Sequence, residues 1–160
     1  MMIQVVPVTP EWAEALAKGD EAFTERFGIP AERDWSGFSE AITLMLDYTG
    51  RGDPPEWGPH LFFEEGVLVG NGGWKGPPVD GKAELGYAVA PARQGRGIAT
   101  AAVLQLLNSA ARSTRVRAVV AHTLAQESAS TTVLRRCGFA KVGEIVDPTD
   151  GPVWRWERNL

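Results

Sequence analysis

The chain has 160 residues, of which 44% are hydrophobic and 22% charged, with a formal net charge of −4. That size and balance fit one globular domain with a substantial core; the mild acidity argues against nucleic-acid binding, which needs a basic face, and no apolar run reaches membrane-spanning length. The single cysteine, Cys137, excludes an internal disulfide, and with His60 and His122 as the only histidines no metal-ligand cluster is expected.

In chain order, Ile3 to Val8 reads as a strand and Glu11 to Lys18 as a short helix with Trp12, Ala15 and Leu16 at helical spacing. The start of the chain lacks the basic and long apolar regions of a signal peptide, so a reducing, cytoplasmic setting is expected. Asp20 is placed to cap a second helix that stops at Gly28, and Ser36 or Ser39 to open a third carrying Ile42, Leu44, Met45 and Leu46. Gly50 to Pro59 is a loop by composition. Leu61–Phe63, Val67–Lys75 and Lys82–Ala90, joined by turns at Glu65-Gly66 and Asp80-Gly81, predict an antiparallel meander.

Ile98 to Arg112 is predicted as a helix with Val103, Leu106, Leu107 and Ala110 along one stripe. Ala118–Thr123 reads as a strand and Ser128–Cys137 as a helix closed by Gly138-Phe139. Lys141–Val146 and Val153–Glu157 are strands around a turn at Asp147 to Gly151. The fold class is α/β, with a strand–helix–strand unit that needs at least one parallel strand pair. An exposed edge strand near the C-terminus leaves a homodimer open.

The densest signal is Gln94-Gly95-Arg96-Gly97-Ile98-Ala99-Thr100, between a predicted strand and a helix. A helix N-terminus presents unpaired N–H groups and a positive dipole end, glycines let an anion approach the backbone, and Arg96 can add a charge-assisted bond. The turn is no Walker loop, because Gly-Lys-Ser/Thr is missing. It is no dinucleotide fingerprint either, since Thr100 stands where the last glycine belongs. Taken alone, such a turn is also compatible with a helix entry that binds nothing.

The pattern extends further. Glu84-Leu85-Gly86-Tyr87-Ala88-Val89-Ala90-Pro91 leads into the turn, with Gln94, Gly97 and Ala99 at the positions of a Gln/Arg-x-x-Gly-x-Gly/Ala motif. Ser130-Thr131-Thr132-Val133-Leu134-Arg135-Arg136-Cys137-Gly138-Phe139 follows downstream. This stretch, within residues 61–157, resembles the GNAT family of N-acetyltransferases, and within it the ribosomal-protein alanine N-acetyltransferase branch. The resemblance implies one acyl-CoA N-acyltransferase domain over 1–160, with a mixed, mostly antiparallel twisted sheet of about seven strands flanked by helices. It implies that the strands Lys82–Ala90 and Ala118–Thr123 splay apart, with the pantetheine arm of acetyl-CoA on the backbone near Ala88 and Val89. The pyrophosphate then lies on the N–H groups of Gln94, Gly95, Arg96, Gly97, Ile98, Ala99 and Thr100, with no metal.

The implied reaction is direct attack of a primary amine, from a peptide N-terminus or a small molecule, on the thioester. Glu84 is the candidate base, with an ion-paired Glu beside Lys75 or Lys82 as the bland reading. Ser130 is the candidate at the leaving sulfur, against a helix serine that only bonds backbone. A tyrosine common in the family four residues before the Gly-Phe pair is Leu134 here. Glu127 replaces an asparagine that binds pantetheine in the family; as a carboxylate it can accept a bond but not donate one. His122 reads chiefly as a sheet histidine, and His60 as a residue that could line the acceptor mouth. Trp35 or Trp57 is a candidate acceptor contact, and Arg135 or Arg136 a reach to the 3′-phosphate. Acceptor specificity is expected in Asp20–Pro59 and Gly76–Gly81. Competing functions are an acyl-CoA sensor without turnover, a longer acyl donor, and antibiotic modification.

Overall fold

The computed structural model describes residues 2–160; Met1 lies outside them. A seven-stranded sheet is built from β1 (Ile3–Pro7), β2 (Pro59–Glu64), β3 (Val67–Trp74), β4 (Lys82–Val89), β5 (Ala118–Leu124), β6 (Ala140–Asp147) and β7 (Gly151–Asn159), in the order β1-β2-β3-β4-β5-β7-β6. The meander is present as β2–β3–β4, antiparallel throughout. Five helices flank the sheet: α1 (Pro10–Lys18), α2 (Asp20–Phe27), α3 (Ala41–Arg51), α4 (Ile98–Ala111) and α5 (Ala129–Arg136). Side chains of α1, α2 and α3 pack with Leu61, Phe63 and Leu68 in one core. Those of α4 and α5 pack with Leu85, Val89, Val119 and Trp156 in the other. The expected stripe of α4 (Val103, Leu106, Leu107, Ala110) is buried in that second core.

Among the described strands the one parallel pair is β4–β5, and its register runs only from Lys82↔Ala118 to Leu85↔Ala121. Beyond Leu85, β4 stays with β3 to Val89↔Gly70, and β5 stays with β7 to Leu124↔Val153. Parallel pairing is slightly weaker per residue than antiparallel pairing, and every strand twists. The seam therefore opens where each strand follows its antiparallel partner. The expected splay of β4 and β5 is this opening.

Local chemistry explains most element ends. Thr9 caps α1 through its side chain, Gly28 closes α2 in the left-handed region (φ 69°), and Ser128 caps α5 in a capping box with Thr131. Two expected caps are corrected. Asp20 is the first residue of α2 rather than its cap, and its carboxylate accepts a bond from Trp35 Nε1 at 3.0 Å. Neither Ser36 nor Ser39 caps α3, which starts at Ala41. The expected edge strand is β6, where Val142 and Val146 are exposed.

Leu134 of α5 is fully buried in the second core. Replacing it by Ala leaves a cavity there, and such truncations cost about 2–5 kcal/mol. Equilibrium urea unfolding of Leu134→Ala is expected to show a loss in that range, with an unchanged denaturant slope.

Candidate active site

Two cavities meet at the opening between β4 and β5. One, of about 910 Å³, is lined by the Gly-rich turn, the free half of β4 and the first turns of α5. The other, of about 820 Å³, is lined by Lys75, Glu84, His122, and Asp147 and Asp150 at the β6–β7 turn. Gly37, Phe38, Tyr87, Ala88 and Ser130 belong to both walls. Gly37 is required there: its φ is +81° and a Cβ would stand 2.4 Å from the Ala88 Cβ. Asn71, buried in β3, fixes the preceding backbone by donating to the Ser36 carbonyl at 3.0 Å.

The backbone of β4 supplies the polar wall. Lys75 N–H donates to Glu84 O at 3.0 Å and Ala90 N–H to Val69 O at 2.8 Å. Alternation along an antiparallel ladder then puts the peptide groups of even-numbered residues on the β3 side. Those of Tyr87 and Val89 face the seam that β5 has left. The expectation for Ala88 is corrected accordingly: its methyl lines the cavity, but its peptide groups belong to the β3 ladder. Gln94 Nε2 donates to the Val89 carbonyl at 3.1 Å and ties the turn to the strand end.

In the turn, Gly95 (φ 76°) and Gly97 (φ 83°) adopt the left-handed conformation that lets the chain enter α4. No side chain caps α4. The first bond into the helix runs from Ala101 N–H to Gly97 O at 3.0 Å, so the N–H groups of Ile98, Ala99 and Thr100 have no intrahelical partner. Gln94, Gly95, Gly97, Ile98, Ala99 and Thr100 all line the first cavity, as does Arg136. Arg96 turns away, its Nη2 donating to Glu64 Oε2 at 3.1 Å. Glu64, a buried carboxylate in β2, also accepts from Arg93 Nη1 at 2.5 Å, and Arg93 Nε donates to Glu32 at 2.9 Å. The turn thus rests on a buried acid that bridges two of its cations.

On the other side, Glu84 Oε2 lies 2.6 Å from Lys75 Nζ and 3.2 Å from His122 Nδ1. Burial alone would raise the Glu84 carboxyl; the hydrogen bond and charge of Lys75, with a smaller part from His122, outweigh it and hold the group below its ordinary range. His122 Nδ1–H donates to the carboxylate, and its buried Nε2 has no partner among the described residues. Ser130 is exposed in the first turn of α5. Helix capping falls to Ser128, and Ser130 lines both cavities.

Several expected residues lie elsewhere. Glu127 is outside both walls: it accepts from Arg135 Nη2 at 2.8 Å and from Thr131 Oγ1 at 2.9 Å, and the Arg135 bond, then Thr131, holds its carboxyl down at about 2. Arg135 itself lies over the Trp156 ring. Trp35 and Trp57 are buried, and the aromatic rings at the junction are Phe38 and Tyr87. His60 is buried with Nδ1 at 2.9 Å from Gly58 O. Gly76–Gly81 lines neither cavity; the acceptor side is completed by the β6–β7 turn instead. Sequence reasoning missed Lys75 as a wall residue, Asp147, Asp150 and Tyr87. For Tyr87 the signal was present, since it alternates with buried Leu85 and Val89 on the helix-covered face of β4.

A family model described as an acetyltransferase (GNAT) domain matches residues 3–140. No curated protein matches the chain in sequence. Solved structures share the fold. A ribosomal L7/L12 alpha-N-protein acetyltransferase in complex with coenzyme A superposes with TM-score 0.73 at 17% identity, covering 100% of this chain and 95% of its own. The ribosomal-protein-S5-alanine acetyltransferase of Vibrio fischeri does so with 0.71 at 16%, covering 99% and 93%. An aminoglycoside acetyltransferase in complex with coenzyme A does so with 0.68 at 14%, covering 99% and 95%.

The Glu84 carboxyl is low because of Lys75, so Lys75→Met is expected to move it upward, burial then prevailing. In the wild type the stabilisation from this pair is present above the unfolded-state pKa and is lost only as pH falls through the lower native value. A carbon NMR titration of the Glu84 carboxyl, identified by its absence in Glu84→Gln, checks this; an unmoved titration in Lys75→Met would contradict the assignment.

Proposed function

The chain belongs to the GNAT acetyltransferase family, and we propose that it transfers the acetyl group of acetyl-CoA to a primary amine by direct attack on the thioester. The observation that carries this reading is the meeting of two cavities at one short stretch of β4. The first has free N–H groups for a pyrophosphate at the turn and, on the seam side of β4, the peptide groups of Tyr87 and the N–H of Val89 for a pantetheine amide chain. The second brings a carboxylate to the same point from the other side. That the ribosomal L7/L12 and aminoglycoside acetyltransferases of this fold hold coenzyme A supports the donor.

The residues divide the chemistry between them. The amine approaches through the second cavity and attacks the carbonyl carbon, forming the C–N bond. Its nitrogen gains positive charge as the bond forms, and Glu84, kept ionised by Lys75 and His122, stabilises that charge and takes the proton. A peptide N–H of the opened β4 seam stabilises the developing oxyanion. The C–S bond then breaks, with the Ser130 hydroxyl beside the departing sulfur. Glu84, Asp147 and Asp150 give the acceptor wall three carboxylates against Lys75 and His122. This favours an acceptor that arrives with positive charge, whether a peptide N-terminus or a small polyamine-like molecule, the attacking amine giving its first proton to water before the C–N bond forms.

The test is thiol release from acetyl-CoA against a panel of N-terminal peptides and small amines. Turnover with at least one amine is expected, and Glu84→Gln is expected to lower kcat by about 10²–10⁴-fold while coenzyme affinity stays within about twofold, a neutral isostere outside the coenzyme wall having no binding term to lose. Tight coenzyme binding with no release from any acceptor would instead favour an acyl-CoA sensor, a role in which the Lys75–Glu84 pair is only structural.

A further inference from the structure

Leu134 occupies the α5 position where related acyltransferases carry a tyrosine, and it is fully buried, so no side chain from that position reaches the sulfur. A tyrosine hydroxyl nevertheless arrives at the same place from the opposite element. Tyr87 lies on β4, on the face of Leu85 and Val89, and its ring packs against the second core. Its hydroxyl crosses the open seam and donates to the Ser130 carbonyl at 2.9 Å. Tyr87 and Ser130 are both among the few residues that line the two cavities together. This is the point at which a thioester, entering along the first cavity, meets an amine entering along the second.

We propose that Tyr87 is a catalytic residue, whose O–H turns from the Ser130 carbonyl to the thioester sulfur as the C–S bond breaks. The inference rests on the acetyl-CoA reading above. The electron pair of the broken bond goes to sulfur, and coenzyme A departs as a thiolate. Tyr87 keeps its proton, since burial, with a smaller contribution from Cys137, makes its phenolate costly. The amine's proton leaves through Glu84, and the free thiolate is protonated by solvent. Ser130 has two parts here: its hydroxyl stands beside the sulfur, and its carbonyl holds the Tyr87 proton in the resting state.

Tyr87→Phe keeps the ring and removes only the hydroxyl. Its test is the affinity for coenzyme A against desulfo-coenzyme A, measured by calorimetry at pH ~9, near a thiol's own pKa of about 8.5. The wild type is expected to prefer coenzyme A by roughly tenfold, and Tyr87→Phe to bind both equally. In parallel, kcat should fall by about 10–100-fold, the usual scale for losing a hydrogen bond to a charged group, with the KM for acetyl-CoA changed less than about threefold. A structural role would weaken both ligands alike; that outcome, or a preference retained in Tyr87→Phe, overturns the proposal. Failure of the wild type to bind either ligand would instead remove the acetyl-CoA reading on which it stands.

Discussion

The arrangement depends on the parting of β4 from β5 after Leu85 and Ala121. A sheet normally spends all its interior peptide groups on neighbouring strands. Here two antiparallel halves, β1–β4 and β5–β7–β6, are held together by one short parallel seam, and their twists separate it. Everything chemical in the molecule gathers around the wedge that results. The turn at Gln94–Gly97 closes its wide end, α5 roofs it, and the carboxylate of Glu84 stands where the strands last touch. The side chains at the apex need no flexible loop to meet, because the strands themselves carry Glu84, Tyr87 and His122 there.

A second constraint lies beneath the turn. Two guanidinium groups next to a phosphate-sized opening would suggest direct anion contacts, yet Arg93 and Arg96 both bond to Glu64. A buried carboxylate is tolerated only when paired and hydrogen-bonded, and Glu64 meets that condition with two cations at once. Glu32 joins because the chain near Ala31 runs beside β3, where Glu32 N–H donates to Leu68 O at 2.8 Å. The cations therefore shape the turn, their charge balanced by Glu32 and Glu64. Contacts to an anion in that cavity would fall to backbone N–H groups, which lose no side-chain entropy on binding.

How much of this was legible in the sequence follows from the range of each interaction. The meander, the apolar stripe of α4 and the Gly28 and Gly138 stops rest on local periodicity and on turn residues, and they read directly. So did the Gly-rich turn, because glycines that must take positive φ are local facts too. Partners across long separations were not readable. Asp20 reads as a cap from its neighbours but bonds Trp35 across a loop. Glu127 reads as a ligand contact from its motif position but lies one helical turn from Thr131 and two from Arg135, which claim it. Trp35 and Trp57 looked available in segments of irregular composition, yet large aromatic surfaces are the first to be buried once a core exists. The far wall of the second cavity escaped because Asp147 and Asp150 come from a turn some sixty residues beyond Glu84, brought back by the β7 pairing with β5.

The open seam also bears on how the protein persists. The peptide groups of Tyr87 and the N–H of Val89, which face no strand, are open to water or to whatever chain lies along them, the Val89 carbonyl being held by Gln94. A pantetheine arm, with its two amides, has the length and polarity of the absent stretch of strand, and its arrival would join the halves of the sheet across the wedge. Folding and substrate occupancy are then one equilibrium: at a hundred times its dissociation constant, such a ligand adds about 2.7 kcal/mol to the native state. The stability of the folded chain is thereby linked to the concentration of whatever fills the wedge.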